Sequence, residues 1–155
     1  MNPEISKTAD AVGWARAVLP TILLVEDEAA VREVTREALE MGGYRVLAAS
    51  GPEEAAAIVN DSATDIDLLL TDVVMPGMSG IELARQLCES RPALVTIFMT
   101  GYAQAEILRA TALETSQSYI QKPFTVDGLL SQVADALAAR WHGEEEDRPP
   151  QFPSP

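Results

Sequence analysis

The stretch DLLLTDVVMPGMSG, residues 67–80, decides the fold. It begins with a short apolar run that ends at Asp72, and it continues through Pro76, Gly77 and Gly80, which are typical of a loop. A continuous apolar run of this length is typical of a parallel strand that is buried on both faces. An acid at the carboxyl end of such a strand lies where open α/β sheets hold their reactive groups.

Apolar runs of strand length alternate with segments of helical periodicity five times along the chain. The predicted strands cover residues 22–25, 44–48, 68–70, 95–99 and 118–120. Five such units predict an α/β fold, a doubly wound sheet of five parallel strands with helices on both faces.

The predicted helices are recognised by their start signals and apolar faces. The first begins near Glu28 and ends at Gly42 and Gly43, which favour a helix end. Its apolar positions are spaced by three and four residues and are expected to share one face: Val31, Val34, Ala38 and Met41.

Two further helices are predicted from the spacing of a capping box, a serine followed three residues later by a glutamate. Ser50 with Glu53 opens the second helix, and Ser79 with Glu82 opens the third. The remaining signals predict a fourth helix over about residues 104–114 and a fifth that Thr125 caps, with these apolar positions: Leu129, Leu130, Val133, Ala134 and Leu137.

Composition sets the limits of the function. The net charge of −13 argues against nucleic acid or an anionic membrane as a direct partner, because both require a basic surface. The single cysteine, Cys88, permits no intrachain disulfide, and no apolar run approaches the roughly 20 residues that span a bilayer. We therefore expect a cytoplasmic protein with a domain over residues 21–140, an N-terminal lead or linker over 1–20, and an acidic, proline-rich disordered tail over 141–155.

Three acids follow two strands that are neighbours in a doubly wound sheet. Glu26 and Asp27 follow the first strand, and Asp72 ends the third. Their carboxylates would repel one another in a partly buried site, and a divalent cation relieves that repulsion. Because Mg²⁺ prefers a few carboxylates together with water and phosphate oxygens, the cluster predicts a Mg²⁺ site that a phosphoryl group completes.

A hydroxyl and an ammonium follow the fourth and fifth strands, at the same edge of the sheet. Thr100 and Lys122 supply groups that can neutralise the equatorial oxygens of a transferring phosphoryl group. The sequence offers no general base for a serine or cysteine nucleophile at these strand ends. A carboxylate is then the remaining candidate nucleophile, and Asp72 would form an acyl phosphate.

Four segments in order carry a resemblance to the receiver domain of two-component response regulators. They are residues 24–28 (LVEDE), 70–80 (LTDVVMPGMSG), 98–101 (FMTG) and 121–124 (QKPF), and with the helices between them they cover about residues 21–140. Each motif is weak alone, but four at successive strand ends are specific. The resemblance implies a flavodoxin-like (βα)5 fold with strand order 2-1-3-4-5.

The resemblance also implies the roles of the site residues. Asp72 would accept a phosphoryl group from a phosphohistidine. Asp27 and Asp72 would ligate Mg²⁺ directly with the backbone carbonyl of Val74, and Glu26 would act through water. Lys122 would pair with the phosphoryl oxygens.

A switch and its output are implied in the same way. Thr100 would move to bond the phosphate and Tyr119 would turn inward behind it, while a cis bond between Lys122 and Pro123 would aim the lysine. The phosphoryl donor would be a sensor histidine kinase or a phosphotransfer protein. The output would be a downstream partner, or self-association, through the face formed by the fourth helix, fifth strand and fifth helix. A stand-alone regulator and a domain of a hybrid histidine kinase both remain open.

Two other classes of function compete with a signalling receiver. A phosphatase or phosphomutase would need a second acid two residues after its aspartate nucleophile, and that position is Val74. Asp65 and Asp67 also form a D-x-D pair, but they precede the strand and are interpreted as loop residues. A purely structural interaction domain would leave the acids and Lys122 without a role, so we expect no enzyme beyond catalysis of the chain's own phosphoryl transfer and dephosphorylation.

Overall fold

The computed structural model describes residues 19–61, 64–101 and 117–145, with side chains as far as Arg140. The described strands are β1 (Thr21–Val25), β2 (Arg45–Ala49), β3 (Leu68–Asp72), β4 (Val95–Thr100) and β5 (Gln117–Gln121). The described helices are α1 (Ala29–Met41), α2 (Pro52–Asn60), α3 (Gly80–Ser90) and α4 (Val126–Glu145). Helix α4 is the fifth helix predicted from the sequence. The predicted fourth helix, about residues 104–114, lies outside the described residues.

The strands form one parallel sheet in the order β2-β1-β3-β4-β5, which confirms the predicted fold class. Every residue of β1 and β4 is buried, and so are the first four residues of β3. The edge strands β2 and β5 are mostly half-buried. Continuous apolar runs therefore identified the inner strands, because those strands are covered on both faces.

Two apolar clusters cover the two faces of the sheet. Helices α2 and α3 cover one face, in a cluster whose members include Leu23, Val59, Leu69, Leu83, Leu87 and Phe98. Helices α1 and α4 cover the other face, in a cluster whose members include Leu24, Leu39, Leu70, Ile97, Leu129 and Val133. Alternate residues of each inner strand point to opposite clusters, as the pleat of a strand requires. The result is a rigid three-layer support for the strand ends.

The predicted apolar face of α1 was wrong in part. Val34 is 63% exposed and Met41 is 82% exposed, whereas Thr35, Ala38 and Leu39 are buried. Thr35 can lie inside because its hydroxyl donates to the carbonyl oxygen of Val31 within the helix. Because that bond satisfies the hydroxyl, Thr35 can be buried together with Ala38 and Leu39. These three residues, and not Val34 and Met41, form the buried face of α1.

The start of α2 also differs from its prediction. Gly51, with no side-chain cap, precedes the helix, and the Ser50 hydroxyl donates to Glu54 rather than to Glu53. Proline at position 52 has no N–H to be capped, which suits the first turn of a helix. The predicted cap of α3 is confirmed, since the Ser79 hydroxyl oxygen accepts the backbone N–H of Glu82.

The last helix begins as the sequence predicts, but its apolar face and its end differ from the prediction. The Thr125 hydroxyl oxygen accepts the backbone N–H of Gly128, so Thr125 caps α4 as predicted. Leu129, Val133 and Leu137 are buried, but Ala134 is exposed and does not belong to the apolar face. The helix continues to Glu145, so residues 141–145 are helical although they were predicted as part of the tail. No helix among the described residues is long and apolar enough to cross a membrane.

Candidate functional site

Four strand ends meet at the carboxyl edge of the sheet. Asp72 ends β3 and pairs with Met99 of β4, which places it one residue below the level of Thr100. Thr100 in turn pairs with Gln121 of β5, and Lys122 follows. Because the strands are parallel and adjacent, their ends deliver their side chains to one small region.

Lys122 bridges two of the predicted acids. Its ammonium nitrogen donates to Glu26 Oε1 at 2.7 Å and to Asp72 Oδ2 at 3.2 Å. The Lys122 side chain is 26% exposed, that of Asp72 is 15% exposed, and that of Glu26 is fully buried. The sequence predicted that Lys122 would reach this site, and the structure brings it there.

The third acid completes a candidate metal site. Carboxylate oxygens of Glu26, Asp27 and Asp72 lie within 4.8 Å of one another. Glu26 Oε2 is buried and has no hydrogen-bond partner among the described residues, so one hard oxygen is available in addition to those of the other two acids. The set fits Mg²⁺, which selects carboxylate oxygens and fills its other positions with water.

Burial changes the acid–base properties of the bridge. Burial first, and then the neighbouring Asp72 carboxylate, raise the pKa of Glu26 to about 7, although Lys122 opposes the rise. Burial alone would lower the pKa of Lys122, but its interactions with Glu26 and Asp72 raise that pKa above the ordinary value. Lys122 therefore stays charged, and its ammonium is held among carboxylates that would otherwise repel one another.

Thr100 ends β4 and is 1% exposed. Its hydroxyl has no hydrogen-bond partner in the described part of the chain. Its backbone is fixed, because the Lys122 N–H donates to the Thr100 carbonyl oxygen at 2.7 Å. Tyr119 pairs with Phe98 of β4 and packs, half-buried, against the cluster that α2 and α3 cover. Since alternate residues share a face, Thr100, Phe98 and Tyr119 lie on the same side of the sheet.

The loop after Asp72 is held tightly at both ends. The Val73 N–H donates to the Met99 carbonyl oxygen, and the Gly80 N–H donates to the Val73 carbonyl oxygen at 2.8 Å. A Cβ atom on Gly80 would lie 1.9 Å from the Asp72 carbonyl oxygen, so only glycine permits this approach. Val74 lies between these bonds with a side chain that is 58% exposed. The bond between Lys122 and Pro123 is cis.

Some contacts near the site were not predicted. Arg32 of α1 donates to the backbone carbonyl oxygen of Glu26 at 2.8 Å. In the sequence Arg32 is recognisable only as a basic residue one turn into the helix that follows the acids. Asp67 lies at the opposite edge of the sheet, where it accepts the Thr21 N–H and pairs with Arg140 of α4. Its role there is structural, which agrees with its interpretation as a residue before the strand.

A family model for the response regulator receiver domain matches residues 22–134, a range that contains the whole site. The chain belongs to the response regulator receiver domain family. Its function therefore lies in two-component phosphorelay signalling, in which receiver domains work with histidine kinases or phosphotransfer proteins.

Individual relatives agree with this membership. The response regulator receiver protein CpdR of Brucella abortus is 36% identical over 118 residues, which are 76% of this chain and 97% of CpdR. The sensor kinase CckA of the same organism is 35% identical over 134 residues, which are 86% of this chain but 14% of CckA. The chain thus spans nearly the whole of one relative and a small part of another.

Solved structures agree as well. The CheY-like response regulator receiver domain protein of Methanospirillum hungatei superimposes with a TM-score of 0.70 at 30% identity, covering 80% of this chain and 98% of that one. The shared fold is the five-stranded parallel sheet described above.

Proposed function

We propose that Asp72 is the phosphoryl acceptor of this receiver domain. One observation carries the proposal, the ammonium of Lys122 held at 3.2 Å from Asp72 and at 2.7 Å from Glu26 beside a cluster of three acids. Phosphoryl transfer needs positioned charge more than covalent chemistry, and this edge of the sheet concentrates positioned charge.

In the proposed reaction a carboxylate oxygen of Asp72 attacks the phosphorus of a phosphohistidine on a histidine kinase or phosphotransfer protein. The new bond joins the Asp72 oxygen to phosphorus, and the phosphorus–nitrogen bond breaks with its electron pair returning to the imidazole. Lys122 donates to an oxygen of the transferring group, and the buried hydroxyl of Thr100, which has no partner among the described residues, donates to another.

Asp27 and Asp72, with the backbone carbonyl of Val74, would hold Mg²⁺, and Glu26 would act through a water molecule. When bound, the ion supplies positive charge that offsets the charge of the phosphoryl oxygens. Glu26 is suited to the indirect role because it is fully buried and already bonded to Lys122.

The output of the proposed reaction is a change of surface. Movement of Thr100 towards the phosphate would open space beside Phe98, and Tyr119 lies on the same face next to that space. The surface that changes would include β5 and α4 together with residues 104–114. It would bind a downstream protein or a second copy of the chain.

The setting of the reaction follows from composition. We infer a cytoplasmic protein, because its single cysteine permits no intrachain disulfide, which fits a reducing compartment. Within it, residues 21–140 form the receiver, 1–20 a lead or linker, and the acidic, proline-rich end a tail. The domain acts as an enzyme only on itself, in accepting and losing its own phosphoryl group.

The test is phosphorylation by acetyl phosphate with Mg²⁺, followed by mass spectrometry. The native chain should gain one base-labile phosphoryl group, and Asp72→Asn should gain none. Asp65→Asn is the matched control, because Asp65 is an exposed acid before the same strand, and it should be labelled like the native chain. Labelling of Asp72→Asn with native yield and lability would overturn the assignment.

A further inference from the structure

Besides Lys122, a second cation, Arg32, contacts the acidic site. It lies in the second turn of α1, half-buried, and its Nη1 donates to the Glu26 backbone carbonyl oxygen at 2.8 Å. A hydrogen bond from a charged donor to a partly buried carbonyl is stronger than one between neutral groups. The bond joins α1 to the peptide unit that links Glu26 to Asp27.

Glu26 is held at three points, and only the contact with Arg32 acts on the peptide unit that leads to Asp27. The Glu26 N–H donates to the Ala49 carbonyl oxygen of β2 at 3.1 Å, and the Glu26 side chain is held by Lys122. Arg32 holds the remaining polar group, the carbonyl. Asp27 is different, since no described residue forms a hydrogen bond or ion pair with its exposed carboxylate. The direction of the Asp27 side chain therefore depends on the backbone that precedes it.

We propose that Arg32 is a positioning residue that fixes the peptide between Glu26 and Asp27 and so aims the Asp27 carboxylate at the metal site. The proposal rests on the proposed function of this edge of the sheet. Arg32 acts on the backbone and touches neither the phosphoryl group nor the ion. Arg32 lies on α1 and its partner Glu26 directly follows β1, so the bond couples the orientation of α1 to the geometry of the acids.

Charge and positioning make opposite predictions here. A guanidinium near three carboxylates weakens the attraction of the site for a cation, so if charge alone mattered, a neutral residue at this position would tighten Mg²⁺ binding. If Arg32 positions Asp27, its loss weakens Mg²⁺ binding although the site becomes more negative. Partners that orient metal ligands typically change affinity by about 10- to 100-fold when they are removed. The sign of the change therefore separates the two explanations.

The experiment compares Arg32→Met with Arg36→Met. Methionine keeps the apolar stem of arginine and removes the charge and the donors. Arg36 is the matched control, because it lies one turn further along α1 and, within the described part of the chain, pairs only with the surface residues Glu33 and Glu40. Mg²⁺ affinity is measured by titration calorimetry, and amide hydrogen exchange of residues 26–28 is measured by NMR in metal-free protein.

We expect Arg32→Met to weaken Mg²⁺ binding by about tenfold or more and to speed exchange of residues 26–28. Arg36→Met should tighten Mg²⁺ binding only slightly, and it should leave the exchange rates of residues 26–28 unchanged. Arg32→Lys keeps the charge and one donor, so it should bind Mg²⁺ within about threefold of the native chain while exchanging faster at residues 26–28. Native or tighter Mg²⁺ binding by a folded Arg32→Met chain would overturn the proposal.

Three further outcomes keep the test decisive. If Arg32→Met does not fold, exchange of residues 26–28 in Arg32→Lys decides the matter, and native exchange rates there would overturn the proposal. If the native chain is labelled on Asp72 by acetyl phosphate while Arg32→Met binds Mg²⁺ normally, the positioning role fails and the proposed function stands. If the native chain is not labelled, the proposed function itself fails.

Discussion

The ammonium of Lys122 lies 2.7 Å from the carboxylate of Glu26, a fully buried residue 96 positions earlier in the chain. The distance to Asp72, the proposed acceptor, is longer at 3.2 Å. Without a phosphoryl group the lysine is therefore held mainly by Glu26, within reach of the atom at which transfer would occur. Glu26 thus keeps the lysine in place as well as contributing to the acidic cluster.

A double-mutant cycle in metal-free protein measures this pair. With Lys122→Met and Glu26→Gln we expect a coupling energy of about 1 to 3 kcal/mol in the free energy of unfolding, because Lys122→Met leaves the buried Glu26 carboxylate without its charged partner, whereas the neutral amide of Glu26→Gln loses less. The control cycle uses Arg36 and Glu40, which are 2.8 Å apart but exposed, and it should give a coupling near zero. Urea unfolding gives both values. Equal coupling energies in the two cycles would show that burial does not strengthen the interaction of Lys122 with Glu26.

The sequence predicted which of these side chains lie close together because each one ends a strand or directly follows one. Apolar runs locate the strand ends, and parallel strands bring their carboxyl ends to one edge. Glu26, Asp72 and Lys122 could therefore be grouped before any distance was known. Their roles came from the resemblance to receiver domains, since residue types alone left several chemistries open.

Contacts that depend on helix rotation or on backbone atoms could not be predicted in this way. The buried face of α1 depends on Thr35, whose hydroxyl is satisfied inside the helix and which therefore packs like an apolar residue. The bond from Arg32 ends on a backbone carbonyl, which leaves no pattern in the sequence. The pair of Asp67 and Arg140 spans 73 positions and depends on where α4 crosses the sheet edge.

The metal site is tested through Asp27. Asp27→Ala should weaken Mg²⁺ binding by more than about tenfold, because it removes one of the few protein oxygens that the ion receives. Glu28→Ala is the control, since Glu28 is exposed, adjacent, and makes no side-chain cap to α1. Isothermal titration of both variants with Mg²⁺ measures the difference. An unchanged titration curve for Asp27→Ala would remove this residue from the site.

The close approach of Gly80 to Asp72 is tested by a single added carbon. Gly80→Ala should lower the free energy of unfolding by about 1 to 3 kcal/mol and slow phosphorylation, because a Cβ atom would lie 1.9 Å from the Asp72 carbonyl oxygen and must displace the acceptor. Gly51→Ala is the control, since a Cβ atom there would meet nothing within 4 Å and its extended backbone suits any residue. A fully stable, normally phosphorylated Gly80→Ala chain would contradict this account.

A second buried hydroxyl on β4 is predicted to reduce stability. Thr96 is fully buried, and its Oγ1 has no hydrogen-bond partner in the described part of the chain. Thr96→Val should therefore raise the free energy of unfolding by about 1 kcal/mol, because valine has the same shape without the polar group. Thr35→Val is the control, since the Thr35 hydroxyl has a partner in α1, and it should not be stabilising. Urea unfolding measures both free energies, and an equal change for Thr96→Val and Thr35→Val would contradict the prediction.

The proposed switch couples Thr100 to Tyr119 through the shared face of β4 and β5. Binding of beryllofluoride, a phosphoryl mimic, should shift the NMR signals of residues 117–121 as well as those of the loop after Asp72. The side-chain amide of Gln132 reports on the same movement, because its nitrogen donates to the Tyr119 carbonyl oxygen at 2.6 Å. A two-state element of this kind carries a local change of charge to a distant surface.

Two isosteric variants on one strand separate the switch from simple packing. Thr100→Val removes the hydroxyl that would bond the mimic, so the shifts at residues 117–121 should disappear while those near Asp72 persist. Thr96→Val removes an equally buried hydroxyl on the same face of β4, one that does not lie at the strand end, and the full response should remain. Shifts confined to the Asp72 loop in the native chain would mean that Tyr119 only packs. A complete response in Thr100→Val would show that the signal reaches β5 by a path that does not include the threonine hydroxyl.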